Sequence, residues 1–253
     1  MKIEYLHREE NPDLAYDYDQ VGSAITIVFL GGFRSDMMGT KAEFLKQLCN
    51  EKGIDFLRFD YRGHGQSKGE FADACIGDWL EDVLNIINQV IAAEQKLILV
   101  GSSMGGWLSL LTALALPDQV KGLIGLAAAP DFTQWMREKM TADQAHLLQT
   151  QGYFALSNEY DPAPYVITKR LIEDGDQHSL LDNHKLSQIS CPVHLIQGGK
   201  DADVPFEVAY QIQERLSASK ARVSLIDDAD HRLSREEDLQ RLKDVLDDML
   251  LSL

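Results

Sequence analysis

The fold of this chain is decided by the stretch LILVGSSMGGW at residues 97–107. Its first four residues form a continuous apolar run typical of a buried strand, and residues 107–116 have the composition of a helix. Between them, Gly101, Ser103 and Gly105 make a Gly-x-Ser-x-Gly motif, which forms a sharp strand-to-helix turn that exposes the serine hydroxyl. The start of a helix also favours negative charge nearby. The stretch therefore predicts a strand–turn–helix unit that presents Ser103 as a nucleophile.

The same alternation of strand and helix patterns continues on both sides of this stretch. Apolar runs rich in β-branched residues predict further buried strands at 24–30, 54–59, 123–127, 193–196 and 223–226. Amphipathic stretches of helical period lie between them, at 41–51, 78–90, 206–216 and 236–250. This alternation is typical of an α/β protein, in which a mostly parallel central sheet is flanked by helices. Residues 3–6 and 14–18 favour instead an antiparallel ribbon at the edge of the sheet.

Residues 131–190 break this alternation, because they contain helical patterns but no recognisable strand pattern. A structureless loop of this length is uncommon in a compact domain. We therefore predict a single domain over residues 1–253, with a helical lid insertion at 131–190. Large apolar side chains of the insertion could line an acyl pocket, or could simply pack it onto the body. The candidates for substrate binding are Trp135, Met136, Met140, Tyr153 and Phe154.

A serine nucleophile needs a histidine base and a carboxylate that orients the base. In sheets that carry this serine turn, the acid and then the histidine follow the serine along the chain. His231 lies in the loop after the last predicted strand and is the expected base. Asp201, which follows the strand at 193–196, is the expected acid. Asp203 is the alternative acid, although it could also cap a helix that starts near Pro205.

The negative oxygen that forms during acyl transfer needs backbone N–H donors. One predicted donor of this oxyanion hole is Met104, directly after the nucleophile. The other is Phe33, in the loop after the strand at 24–30. Gly31 and Gly32 precede it and allow the backbone to approach a substrate closely.

A second Gly-x-Ser-x-Gly pattern occurs at residues 65–69. It does not directly follow a predicted strand, and no helical pattern opens after it. We therefore interpret Ser67 as a turn residue. We also expect His64, just before the pattern, to serve the turn rather than catalysis.

The composition limits the partners of the chain. It has 24 Lys and Arg against 40 Asp and Glu, a formal net charge of −16, which disfavours nucleic acids and anionic membrane surfaces. No apolar run is long enough to span a membrane, and the first residues lack an apolar signal core. The three cysteines are sparse and isolated, as expected in a reducing compartment. We expect a cytoplasmic protein that takes a small-molecule or acylated-protein substrate without metal or cofactor.

Several motifs together resemble the α/β-hydrolase superfamily. They are LGGF at 30–33, FDYRGHGQS at 59–67, GSSMGG at 101–106, GGKDADVP at 198–205 and DH at 230–231. The resemblance implies an α/β-hydrolase fold with Ser103, Asp201 and His231 as its catalytic triad. The first motif departs from many members of the superfamily, which have His at the position of Gly31. The backbone donor expected there does not depend on that side chain.

A closer resemblance is to bacterial relatives of abhydrolase domain-containing protein 10, a mitochondrial palmitoyl-protein thioesterase that also cleaves acyl glucuronides. It rests on the stretches at 31–37, 76–82 and 167–175. It implies a serine hydrolase of the carboxylesterase or thioesterase type, acting on acyl-protein or acyl-CoA-like thioesters. Two alternatives stay open. One is carbon–carbon bond or lactone hydrolysis by the same triad, and the other is a non-catalytic small-molecule receptor on a hydrolase scaffold.

Overall fold

An eight-stranded sheet forms the centre of the computed structural model, which describes residues 2–157, 164–216 and 221–253. The strands along the chain are β1 (Glu4–Leu6), β2 (Leu14–Asp19), β3 (Ile25–Leu30), β4 (Asp55–Phe59), β5 (Lys96–Ser102), β6 (Val120–Leu126), β7 (Tyr153–Leu156), β8 (Tyr165–Thr168), β9 (Val193–Gly198) and β10 (Ala221–Ile226). The large sheet has the order β1-β2-β4-β3-β5-β6-β9-β10. β2 pairs antiparallel with β1 and β4, and the strands from β4 to β10 in this sheet pair in parallel. The predicted parallel sheet with an antiparallel edge ribbon is confirmed.

Helices cover both faces of this sheet, as predicted. They are α1 (Thr40–Lys52), α2 (Ile76–Val90), α3 (Met104–Ala115), α4 (Phe132–Glu138), α5 (Ala142–Thr150), α6 (Lys169–Gln177), α7 (Glu207–Arg215) and α8 (Glu236–Leu251). α1 and α8 pack on one face, and α2, α3 and α7 pack on the other. Alternate residues of β3 enter the two cores, because successive side chains of a strand point to opposite faces. Among the described residues, the structure has no helix with the length and apolarity needed to cross a bilayer.

The insertion between β6 and β9 contains the predicted helices, but the expectation that it is wholly helical is wrong. β7 and β8 form a separate two-stranded antiparallel sheet, with Tyr153 opposite Thr168. Each strand has only four residues, and Pro162 and Pro164 stand between them, so the sequence favours an interrupted helix there. One of the helical patterns of the insertion covers 178–185, but the structure has turns there and a short 3₁₀ helix at Lys185–Gln188.

One buried carboxylate ties the two ends of the insertion together. Asp131, directly before α4, has φ 60° and is almost fully buried. Its carboxylate accepts hydrogen bonds from the amides of Leu180 (2.8 Å) and Leu181 (2.7 Å). The indole of Trp107 on α3 donates to the carbonyl of His178 at 3.1 Å and adds a second link to the body. The segment that leaves the sheet after β6 thus returns beside its own starting point.

A buried arginine joins the sheet edge to the loop after β3. Arg58 on β4 is fully buried, and its guanidinium donates to Asp17 on β2 at 2.9 and 3.0 Å. It also donates to Glu43 on α1 at 2.6 Å and to the carbonyl of Met37 at 3.0 Å. Lys46 pairs with the same Asp17 carboxylate at 2.6 Å. The arginine is therefore the centre of a network that links three elements.

Replacing Arg58 with methionine is expected to lower the free energy of unfolding by about 3 kcal/mol, because it leaves buried polar partners without their donor. Urea denaturation followed by circular dichroism measures this loss. Lys68→Met is the control, since Lys68 pairs with Asp13 at the exposed surface and such pairs contribute less than about 1 kcal/mol. Equal losses in the two variants would contradict the prediction.

Candidate active site

Ser103 occupies the turn between β5 and α3 with φ 54° and ψ −117°. A positive φ is unfavourable for serine and persists only where the surroundings hold it. The motif glycines permit this geometry. A Cβ on Gly101 would lie 2.2 Å from the carbonyl oxygen of Gly105, and a Cβ on Gly105 would lie 2.0 Å from that of Leu30. The local backbone is the strained serine turn that the sequence predicts.

The structure brings Ser103, His231 and Asp201 together in one hydrogen-bonded series. His231 follows β10, and its Nε2 lies 3.2 Å from Ser103 Oγ. Its Nδ1 lies 2.9 Å from Asp201 Oδ2. A carboxylate can only accept a hydrogen bond, so the imidazole proton belongs on Nδ1 and Nε2 is left to accept from the serine hydroxyl. This is the arrangement in which a histidine can remove the serine proton.

The position of Asp201 separates it from its alternative, Asp203. The Asp201 side chain is fully buried, and Gln197 donates to its Oδ2 at 2.8 Å. Its Oδ1 accepts from the amides of Asp203 (2.9 Å) and Val204 (2.8 Å), which fixes the carboxylate plane. Asp203 itself is exposed, and α7 begins only after Phe206, where no side chain caps the helix. The expectation that Asp203 caps this helix is therefore wrong.

Asp201, Asp203 and His231 also place their ligand atoms within 4.8 Å of one another, a spacing that could hold a metal ion. Two of these three side chains already hydrogen bond to each other, and the third is exposed. The contact between Asp201 and His231 is therefore explained by the serine series, in which Asp203 has no part.

The two predicted oxyanion donors lie on the backbone segments that flank Ser103. Met104 is the first residue of α3, where amides have no acceptor within the helix. On the other side, a Cβ built on Gly32 would lie 3.5 Å from Ser103 Cβ, so the loop after β3 packs directly against the nucleophile. The Gly32 carbonyl accepts from the amide (3.2 Å) and the hydroxyl (2.8 Å) of Ser35. Because the peptide is planar and trans, these bonds turn the Phe33 N–H to the opposite side.

Hydrogen bonds from the 59–67 motif hold the loop after β3 in place. The Asp60 carboxylate accepts from the amides of Met37 (2.7 Å) and Gln66 (2.8 Å), and the Tyr61 hydroxyl donates to the Gly31 carbonyl at 3.1 Å. Ser67 donates to the Asp60 carbonyl and accepts from a β2 amide. The second Gly-x-Ser-x-Gly pattern is thus part of a turn, as the sequence indicates.

His64 belongs to the same motif and is nearly fully buried. Its Nδ1 lies 3.2 Å from the Arg62 carbonyl, and its Nε2 accepts from the Arg34 amide at 3.2 Å. Burial lowers the pKa of His64 to about 4, with the nearby Arg34 charge acting in the same direction. The ring is therefore neutral at pH 7, and it contacts the residue that follows Phe33.

A cavity of about 770 Å³ opens beside Ser103 and His231 and extends beneath the insertion. Its volume is in the range of small-molecule sites. Its apolar wall is formed by Phe33, Phe132, Trp135, Met136, Phe154, Leu156 and Tyr165. Phe33 anchors this wall, because its ring packs edge-on against those of Phe132 (5.4 Å) and Tyr165 (5.8 Å). An apolar acyl group would therefore find a preformed enclosure next to the nucleophile.

Three of the five predicted pocket residues line this cavity, namely Trp135, Met136 and Phe154. Tyr153 is not among the described residues that line it: it points away from Phe154 on β7 and is 46% exposed, so its role in substrate binding stays a prediction. Met140 lies beyond the end of α4, where it packs against the core instead of lining the cavity. Both differences follow from where short elements begin and end. Periodicity in the sequence did not reveal those boundaries.

A smaller hollow of about 270 Å³ also borders Ser103 and contains Arg34, Lys41 and Arg232 in its wall. The Lys41 ammonium donates to the carbonyl of Arg232, next to His231. Burial lowers the pKa of Lys41 to about 8. Sequence reasoning missed this lysine, because it lies in α1, far from the serine, histidine and aspartate motifs along the chain.

Comparisons with known proteins show the family and the fold of the chain. The family model described as serine aminopeptidase, S33, matches residues 23–186. The chain is 35% identical over 249 residues to the mouse (Mus musculus) mitochondrial palmitoyl-protein thioesterase ABHD10, covering 98% of this chain and 82% of that protein.

Two solved structures share the fold over nearly the whole chain. A putative hydrolase from Agrobacterium vitis S4 superposes with a TM-score of 0.91 at 35% identity, covering 98% of this chain and 97% of that one. Mouse alpha/beta hydrolase domain-containing protein 10 superposes with a TM-score of 0.90 at 33% identity, covering 100% of this chain and 99% of that one.

Proposed function

This chain belongs to the S33 family of α/β hydrolases, and we propose that it cleaves carboxylic esters or thioesters through a Ser103–His231–Asp201 triad and an acyl-enzyme. The observation that carries the proposal is the hydrogen-bonded series from Asp201 through His231 to Ser103, at the wall of an apolar cavity. A strained serine, an oriented base and a buried acid are the parts that nucleophilic acyl transfer needs.

The mechanism follows from these positions. His231 Nε2 takes the proton of Ser103 as Oγ forms a bond to the acyl carbon. The carbonyl oxygen becomes negative and accepts from the amides of Met104 and Phe33. His231 then gives the proton to the departing alcohol or thiol, which leaves an acyl group on Ser103. A water molecule, deprotonated by His231, attacks the acyl-enzyme; the acid leaves and Ser103 regains its proton.

We place the acyl chain in the 770 Å³ cavity, among Phe132, Trp135 and Phe154. The apolar wall favours an acyl group over a polar one, because burial of apolar surface is favourable. The mouse relative is named a palmitoyl-protein thioesterase. We therefore infer that the substrates are long-chain acyl thioesters or esters, with the residues of the insertion setting the chain length.

The test is a panel of p-nitrophenyl esters, acyl-CoA thioesters and S-palmitoyl peptides of increasing chain length, combined with a fluorophosphonate probe. We expect probe labelling at Ser103 and turnover that peaks at a medium or long acyl chain. Labelling without turnover on the panel would replace the ester proposal by lactone or carbon–carbon bond hydrolysis. Absence of both, with tight saturable binding of acyl compounds, would overturn the enzyme and favour a receptor.

Replacing Phe154 with tryptophan is expected to shorten the preferred acyl chain. The larger ring fills part of the cavity, so kcat/KM for the longest substrates should fall about tenfold or more, while short esters keep their rate. The measurement is kcat/KM across the ester series. Tyr153→Trp is the matched control, since Tyr153 is the neighbouring residue on β7 and points outward. A uniform loss across all chain lengths, or the same shift in both variants, would contradict the placement.

A further inference from the structure

His64 connects the 59–67 motif to the loop that carries one oxyanion donor. Its ring is 4% exposed and is enclosed edge-on by the rings of Tyr61 (5.4 Å), Phe71 (5.2 Å) and Trp79 (5.3 Å). These contacts hold the imidazole in one orientation. Both of its nitrogens are then directed at fixed backbone groups.

The partners of those nitrogens define the protonation state. Nδ1 lies 3.2 Å from the Arg62 carbonyl oxygen, which can only accept, so Nδ1 carries the proton. Nε2 lies 3.2 Å from the Arg34 amide, which can only donate, so Nε2 offers its lone pair. The depressed pKa described above agrees with a ring that stays neutral. A protonated ring would present an N–H to the Arg34 N–H and lose this bond.

The Arg34 amide is important because it belongs to the peptide that directly follows Phe33, the predicted oxyanion donor. Arg34 has φ 61°, an unfavourable conformation for a residue with a side chain, and such a backbone persists only where its surroundings hold it. Its N–H shares a peptide plane with the Phe33 carbonyl, while the Phe33 N–H shares the preceding plane with the Gly32 carbonyl. Ser35 fixes the preceding plane through Gly32, and His64 fixes the following one. Phe33 thus lies between two anchored peptide planes, and the first of them carries its own N–H.

We propose that His64 is a positioning residue of the hydrolase, whose Nε2 lone pair holds the Phe33–Arg34 peptide so that the Phe33 amide faces the oxyanion. It acts through the loop and does not touch the substrate. This inference rests on the proposed function, since an oxyanion forms only if Ser103 attacks an acyl carbon. It assigns a role in catalysis to a histidine that lies outside the Asp201–His231–Ser103 series.

The experiment compares His64→Phe, which keeps an aromatic ring but has no acceptor, with His64→Gln, whose side-chain oxygen can accept from Arg34. We expect His64→Phe to lower kcat about 10²-fold with KM within threefold, the effect of a misplaced oxyanion donor. His64→Gln should recover at least about tenfold of that loss. His194→Phe is the control, since His194 binds Ser224 between β9 and β10, away from the loop, and should keep the wild-type kcat.

A second readout separates positioning from general loosening of the site. A trifluoromethyl ketone forms an adduct on Ser103 with a negative oxygen, whereas the fatty-acid product binds without one. The inhibition constant of the ketone should rise in His64→Phe by the factor that kcat/KM falls, and that of the fatty acid should stay unchanged. Equal weakening of both ligands, or a His64→Phe kcat within threefold of wild type, would overturn the positioning role.

The remaining outcomes are also decisive. Wild-type protein without Ser103-dependent turnover would remove the proposed function and this inference together, whereas wild-type turnover with an unaffected His64→Phe would remove the inference alone. If His64→Phe does not fold, the ¹⁵N spectrum of the wild-type imidazole at pH 6 supplies the test. We expect a neutral His64 ring with its proton on Nδ1, and a proton on Nε2 would overturn the proposal.

Discussion

Ser103→Ala is expected to lower kcat about 10⁴- to 10⁶-fold while the chain remains folded. The substitution removes the atom that His231 Nε2 faces at 3.2 Å and that would carry the acyl group. The oxyanion amides and the cavity stay in place, so a small residual rate above the uncatalysed reaction should survive. Turnover of the best ester of the panel measures the effect, with circular dichroism as the check on folding.

Ser102→Ala is the matched control for this result. Ser102 is the preceding residue and the last of β5, and it is buried beside the turn. Its alanine variant should keep at least about half of the wild-type rate, because its hydroxyl has no part in acyl transfer. A Ser103→Ala protein that retains a tenth of the wild-type turnover would show that another group is the nucleophile.

Asp201→Asn is expected to lower kcat about 10⁴-fold with little change in KM. An asparagine can offer its NH₂ group to Nδ1, which then becomes the acceptor and moves the imidazole proton to Nε2. In that tautomer His231 cannot take the proton of Ser103. The carbonyl oxygen of the asparagine can still accept from the amides of Asp203 and Val204, which should keep the loop in place, although the bond that Gln197 donates to Oδ2 is lost.

Asp203→Asn makes the sharpest comparison, because it changes the same atoms two residues away. Asp203 is exposed, and the hydrogen bond to His231 Nδ1 comes from Asp201. We expect its kcat to stay within about threefold of wild type, as for an exposed charge at the rim of a site. The kcat values of both variants on one ester, with their melting temperatures, decide the assignment. A greater loss in Asp203→Asn than in Asp201→Asn would reverse it.

The site could be predicted from the sequence where its chemistry depends on local backbone geometry. Ser103 needs a tight turn, and the flanking glycines that permit the turn are visible in the chain. Asp201 and His231 lie in the loops that follow β9 and β10, and parallel strands bring their carboxyl ends to one edge of the sheet. The choice between Asp201 and Asp203 needed the structure, because a two-residue offset in one loop decides which carboxylate is buried.

The cavity wall was harder to predict, because it depends on which side chains of short strands point into the cavity. β7 and β8 have four residues each, too few for a period to be recognised, so the opposite orientations of Tyr153 and Phe154 were not apparent. Tyr165 lies on the neighbouring strand β8 and also lines the cavity. It was missed because β8 is too short to be recognised from its pattern. Lys41 comes from α1, distant in sequence, and its ammonium donates to the carbonyl of Arg232, next to His231.

The carboxylate of Asp131 has a consequence for how such an enzyme could diversify. Because it accepts from the amides of Leu180 and Leu181, the chain enters and leaves the insertion at one point of the body. The described residues between 132 and 179 therefore begin and end beside one carboxylate, and none of them belongs to the eight-stranded sheet. Ser103, His231 and Asp201 all lie outside that segment. Most of the proposed acyl-chain wall therefore belongs to one segment of the chain and the proposed bond-breaking residues to others, so separate mutations can change the two.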